Sequence, residues 1–336
     1  MNLPVRLSVA ATLAMILPSM PSQAEPAATV PDASLDAYAA PAGLIDLGGR
    51  QLNLRCSGSG TPTVLLEAGQ GMTSMSWRKL QPVLARSTRV CAYDRAGLGF
   101  SDVGPLPRTA QAEADDLHAL VHAAKLPTPL LLVGHSLGSY IVRLYAAAHP
   151  EDVVGLVLVD PVVETLADDA PAVAAFEAKL GEQNSAFGRH CLELAERGDL
   201  AKGVPGSDGC VHPRYPGFSE ALNESIRRRD QQPGYWRTAL SERASDTANV
   251  AAVKASKLPP ALPLIVLEAD GTNDWMPKEQ RALADKAYHD GHAKLAASTT
   301  QGRLAPVAHS SHNVQEDQPQ AVVDAVRALI RGLRPS

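Results

Sequence analysis

Short apolar runs recur along this chain, separated by longer stretches in which apolar positions follow helical spacing. The runs stand at Thr63–Glu67, Arg89–Tyr93, Leu130–Val133, Val153–Val159 and Pro263–Leu267. Near-continuous apolar character over so few residues predicts strands covered on both faces. Helical spacing appears at Trp77–Ala85, Ala110–Ala124, Tyr140–Ala148, Pro277–Tyr288 and Pro319–Leu333. A starting hairpin reads at Gly43–Asp46 and Gln51–Cys56 around Gly48-Gly49, and a last strand near Leu304–Val307. Strands alternating with helices predict an α/β fold, a mainly parallel eight-stranded sheet flanked by helices. Between about Val162 and Leu258 the strand rhythm stops, and the segment turns polar and helix-prone with breaks at Gly203–Gly209 and Pro213–Gly217. That interruption predicts an inserted helical lobe.

The expected organisation is therefore a signal peptide at 1–24, a loose Ala- and Pro-rich leader at 25–40, core at 41–161, cap at 162–258 and returning core at 259–336. The signal rests on Arg6, the apolar Leu7–Leu17 and a small-x-small cleavage site at Ser22-Gln23-Ala24. It predicts export to the periplasm or beyond. No apolar span of membrane length follows, so integral membrane association is not expected. With 45% hydrophobic and 20% charged residues the chain can bury an ordinary core, and a net charge of −5 gives no reason to expect nucleic-acid binding. Four cysteines in an exported chain are candidates for two disulfides, with Cys56 paired to Cys91 and Cys191 to Cys210 as one of three connectivities. Buried free thiols are the other reading.

Residues 134–138 read Gly-His-Ser-Leu-Gly, directly after an apolar run and before a helical stretch. Strand, glycine-flanked serine and helix in that order describe a nucleophile elbow, whose tight bend lifts Ser136 Oγ off the sheet. Three further segments accompany it: Val-Leu-Leu-Glu-Ala-Gly-Gln-Gly at 64–71, Tyr-Asp-Arg-Ala-Gly-Leu-Gly-Phe-Ser at 93–101 and Ser-His-Asn-Val-Gln-Glu-Asp-Gln-Pro at 311–319. With these motifs the mature chain resembles the α/β-hydrolase family over nearly its whole length. It looks like an exported, cap-bearing branch with Glu-Ala-Gly where many relatives carry His-Gly. The resemblance implies the order nucleophile, acid, histidine. It also implies that the second and fourth strands are neighbours, which would bring Cys56 and Cys91 within about 7 Å, close enough to bridge.

A serine alcohol needs a base within hydrogen-bond reach. Two histidines compete, and His312 matches the family position, whereas His309 reads as a loop residue. The base in turn needs a carboxylate. Asp160, after the strand that follows the elbow, is preferred; Asp274 in Gly-Thr-Asn-Asp-Trp-Met-Pro is the alternative, and Asp270 a third candidate. An oxyanion hole takes two backbone N–H groups. Leu137 supplies one, and Gln70 the other, with Gly69 as the alternative register.

Elsewhere, Met72 and Met75 either border an apolar acyl pocket or simply pack, and Tyr235-Trp236 either line a substrate tunnel or fasten the cap. Arg227-Arg228-Arg229 reads first as a solvated helix face and second as an anion contact. No zinc-type Cys/His spacing, phosphate loop or dinucleotide fingerprint is read, so no cofactor is expected. These features predict a serine hydrolase acting by acyl transfer on a small-molecule ester. An amidase or aminopeptidase would use the same parts, and a silent binding protein would show a broken triad or loop. A serine at the elbow argues against haloalkane dehalogenase or epoxide hydrolase chemistry, which this fold usually runs with aspartate.

Overall fold

The computed structural model describes residues 32–333, so the expected signal peptide and most of the leader lie outside the described residues. Eight strands form one sheet: β1 (Leu44–Asp46), β2 (Gln51–Ser57), β3 (Thr63–Glu67), β4 (Val90–Tyr93), β5 (Leu130–His135), β6 (Val153–Val159), β7 (Leu264–Ala269) and β8 (Gly302–Val307). Their order is β1-β2-β4-β3-β5-β6-β7-β8. Strand β2 runs antiparallel to both neighbours and the others pair in parallel.

Side chains of the central strands alternate between two buried layers, as the two-residue period of a strand requires. Leu65, Leu130, Leu132, Leu156, Leu158, Leu264 and Val266 face one layer, with Leu117 and Ile141 of the flanking helices. Val64, Leu66, Leu131, Val133, Val157, Val159 and Ile265 face the other, with Trp77 and Val326. The helices before the insertion are α1 (Gln81–Leu84), α2 (Ala110–Ala123) and α3 (Leu137–Ala148). Between β6 and β7 stand six helices: α4 (Leu166–Asp169), α5 (Pro171–Glu196), α6 (Asp199–Lys202), α7 (Glu220–Asp230), α8 (Pro233–Ala244) and α9 (Asp246–Ala255). After β7 come α10 (Lys278–Ala296), α11 (Val314–Asp317) and α12 (Pro319–Gly332).

Two expectations need correction. The helix expected over Trp77–Ala85 is broken into a 3₁₀ turn at Ser74–Trp77 and the short α1. Pro82 has no N–H to bond to Arg78, and its ring would clash with the Arg78 carbonyl in a continuous helix; the chain instead makes the tighter bonds Arg78 N–H to Met75 O and Leu80 N–H to Trp77 O. The helix expected to end at Tyr288 runs on to Ala296. It passes close to Val163 at Gly291, where a Cβ would sit 2.3 Å from a Val163 methyl.

Both cysteine pairs are bridged. Cys56 on β2 faces Cys91 on β4 with Cα atoms 4.1 Å apart, and Cys191 of α5 reaches Cys210 with Cα atoms 5.4 Å apart. Free thiols are thereby excluded. Among the described residues no helix is long and apolar enough to cross a membrane.

Candidate active site

Loops at the carboxyl ends of β3, β5, β6, β7 and β8 converge on one edge of the sheet, where open α/β folds collect their chemistry. The elbow follows β5. Ser136 adopts φ 52°, ψ −123°, a conformation that side chains other than glycine rarely hold. Its neighbours show why the flanking positions must be glycine. A Cβ on Gly134 would lie 2.6 Å from the Gly138 carbonyl oxygen, and one on Gly138 would lie 2.6 Å from that of Glu67. The turn is held by the Ser136 N–H donating to Val159 O at 3.2 Å. Helix α3 starts immediately after, so its positive end lies at the serine.

Asp160 sits one residue beyond β6 and is 1% exposed at its side chain, whereas Asp274 is 69% exposed and pairs with Arg281. His312 Nδ1 lies 2.6 Å from Asp160 Oδ2. Asp160 also accepts from the Ala269 N–H at 3.0 Å and from the Thr272 hydroxyl. Burial alone would raise the carboxyl's pKa, yet the bond from His312, its charge and the Thr272 hydroxyl hold it below the usual range. The other two candidate acids are placed differently: Asp274 stays at the surface, and Asp270 accepts the backbone N–H groups of His309 and Ser310 at 2.9 and 3.0 Å. His309 is exposed, in the left-handed region at φ 58°.

With Nδ1–H given to Asp160, the Nε2 lone pair of His312 is free to take a proton. A residue that sequence reasoning passed over fixes this loop. Fully buried His135, the residue before Ser136, donates from Nε2 to the His312 carbonyl oxygen at 2.9 Å and accepts the Gln315 amide at Nδ1. Burial, reinforced by the neighbouring His312, pushes His135 down to about 3, so it stays a neutral, one-tautomer strut.

The loop after β3 is held by a buried ionic cluster. Arg95 Nη1 donates to Glu67 Oε1 and to Ala68 O, both at 2.7 Å, and Nη2 donates to Gly69 O at 2.7 Å. Its Nε donates to Glu242 Oε1 of α8 at 2.9 Å, while Glu242 Oε2 accepts the Gly71 N–H at 2.8 Å. Arg95 and both carboxylates are at most 1% exposed. Burial opposes the Arg95 charge, but Glu242 and Glu67 more than offset it and keep the guanidinium cationic. A Cβ on Gly69 would meet His135 Nδ1 at 2.8 Å, which explains a glycine at this point of the loop. Among the described residues, neither the Gln70 nor the Leu137 N–H has a hydrogen-bond acceptor.

Two cavities, about 560 and 660 Å³, lie beside this loop, with Gln70 and Arg243 lining both. Ser136 and His312 line neither. Met72, Met75, Phe187, Tyr235 and Trp236 line the first. Arg229 lines it as well, stacked on Tyr235 and paired with Asp230, while Arg227 and Arg228 lie near Glu224. Val162, Leu166 and Tyr140 line the second. Arg95, Glu242 and His135 carried no local signal, since their partners stand far away in sequence; only the Tyr-Asp-Arg motif marked Arg95 at all.

Known proteins share this frame. Over 130 residues the chain is 39% identical to the probable transporter efuK of Hormonema carpetanum, a match covering 36% of this chain and 19% of that protein's length. Among solved structures, a thermophilic esterase from Thermogutta terrifontis aligns at TM-score 0.58 and 22% identity, over 88% of this chain and all of the other (100%). The epoxide hydrolase CorEH aligns at TM-score 0.63 and 21% identity, over 87% and 99%. Such identities show the shared fold. Residues 64–325 match the family model, a span that takes in the β3 loop, the elbow, Asp160 and His312, and the chain belongs to the alpha/beta hydrolase family.

Proposed function

We propose that this chain is an exported serine hydrolase that cleaves a small-molecule carboxylic ester through an acyl-enzyme. The observation that carries the reading is the 2.6 Å bond between His312 Nδ1 and buried Asp160, on a loop tied by His135 to the elbow that bears Ser136. In this reading His312 Nε2 takes the hydroxyl proton as Ser136 Oγ attacks the ester carbonyl. Asp160 holds the tautomer and stabilises the imidazolium. The free N–H groups of Leu137 and Gln70 receive the developing oxyanion. Collapse of the tetrahedral adduct expels the alcohol, protonated by His312. A water deprotonated by the same ring then attacks the acyl carbon and releases the acid.

Helices α4–α9 act as the cap, and the two cavities that share Gln70 and Arg243 lie beside the proposed oxyanion loop. The elbow carries an alcohol and not a carboxylate, which favours acyl transfer over the epoxide and haloalkane chemistry also hosted by this fold. Two disulfides support residence in an oxidising compartment.

The test is a pair of substitutions assayed on an acyl ester and its matched amide. Asp160→Asn should lower kcat by about four orders of magnitude, the scale seen when a triad carboxylate becomes an amide. Asp274→Asn should change it by no more than a few fold. The reverse pattern would move the acid to Asp274, and a higher turnover of the amide would make the protein an amidase.

A further inference from the structure

We propose that His118, His122 and Asp152 form a binding site for one divalent transition-metal ion of the zinc class. The site lies at the opposite end of the sheet from Ser136. Helix α3 starts at the elbow and runs 12 residues, roughly 18 Å, before the chain turns through Pro150–Asp152 into β6. His118 and His122 are four residues apart on α2, so both rings stand on one helix face, with centroids 4.3 Å apart. One ligand atom from each of the three side chains lies within 4.8 Å of the other two. Donors at zinc-type bond lengths around a tetrahedral ion are about 3.4 Å apart, so closing the set takes side-chain movements of about 1 Å, to which the exposed His122 can contribute.

Three features distinguish this cluster from chance surface histidines. His118 Nδ1 is enclosed and has no hydrogen-bond partner among the described residues, so the protein leaves that nitrogen unsatisfied. The His149 ring stacks on His118 at 3.8 Å and 9°, fixing its plane. Asp152 Oδ2 accepts the hydroxyl of fully buried Tyr145 at 3.2 Å, which orients the carboxylate and leaves Oδ1 for an ion. Metal-binding carboxylates are commonly held this way. Two imidazoles with one carboxylate suit zinc, nickel or copper, whereas magnesium and calcium take oxygen ligands. A bound ion would tie the end of α2 to the turn before β6, and so would act on stability and not on turnover.

The experiment is calorimetric titration of the tag-free full chain with zinc chloride, and separately with magnesium chloride, alongside thermal melts. One zinc per chain, a melting temperature raised by zinc and not by magnesium, and ester turnover unchanged support the site. His122→Ala and Asp152→Asn should each weaken zinc binding at least about tenfold while leaving the metal-free melting temperature and the turnover near wild type. Absence of zinc uptake overturns the proposal, as does uptake that survives both substitutions.

Discussion

Glu242 reaches from α8 into the loop after β3, and replacing it by glutamine separates the loop's rigidity from its sequence. Both oxygens of Glu242 face donors: Oε1 faces Arg95 Nε–H at 2.9 Å and Oε2 faces the Gly71 N–H at 2.8 Å. Glutamine has one oxygen and one NH₂, so in either orientation a donor meets a donor. Losing one charge-assisted bond costs about 1.5–3 kcal/mol, and because Glu67 still balances Arg95 no buried charge is left unpaired. Arg95 retains Glu67 and two carbonyls, so the strain falls on the weaker partner, Gly71, next to the N–H of Gln70. If Gln70 is an oxyanion donor, displacing it removes about 2.7–4 kcal/mol of transition-state stabilisation. The expected outcome of Glu242→Gln is a kcat lowered about 100-fold on a p-nitrophenyl ester with little change in KM. Affinity for a boronic acid that forms a tetrahedral adduct on Ser136 should fall in step. A folded variant with kcat within threefold of wild type would refute the dependence of the loop on α8.

Ser136→Ala and His312→Ala should each remove nearly all turnover, with the double variant little worse than either; additive losses in steady-state kinetics would show that the two do not act as one unit. Removing the β2–β4 bridge with Cys56→Ala/Cys91→Ala should lower unfolding free energy by about 3–4 kcal/mol, read as a lower urea midpoint, because the closed loop spans 35 residues of sequence.

How much of this was legible depended on sequence distance. The elbow was readable because its requirement is local: Gly134 and Gly138 are needed within the same turn that contains Ser136. The strands were readable because both faces of the sheet are covered, which forces continuous apolar runs. His312 and Asp160 were recognisable only by resemblance, since each looks like an ordinary polar residue after a strand, and geometry separates Asp160 from the exposed Asp274. The Glu242 side of the buried ionic cluster was hidden altogether. Nothing near Glu242 in a polar helix distinguishes it from Glu220 or Glu224, and only its burial against Arg95 gives it meaning. Pro82 misled for the opposite reason: the apolar spacing of Trp77, Leu80 and Leu84 serves the core as well in a turn followed by α1 as in one helix.

His135 carries the same point into a pH prediction. Its neighbours force it to be a neutral donor, so the folded state binds its proton only near pH 3, against 6.5 for an unconstrained ring. As pH falls below 6.5 the unfolded chain takes up this proton while the folded chain does not, so stability drops with falling pH through that window. Each unit is worth about 1.4 kcal/mol, which makes the loss from this residue roughly 2–3 kcal/mol on going from pH 7 to 4.5. Urea unfolding of the wild type and of His135→Gln at both pH values measures it. The variant, though less stable at pH 7, should lose that much less on acidification because glutamine does not titrate. Parallel pH dependences in the two proteins would mean that His135 takes up its proton in the fold over the same pH range as in the unfolded chain, and that the strut behind Ser136 is not held neutral.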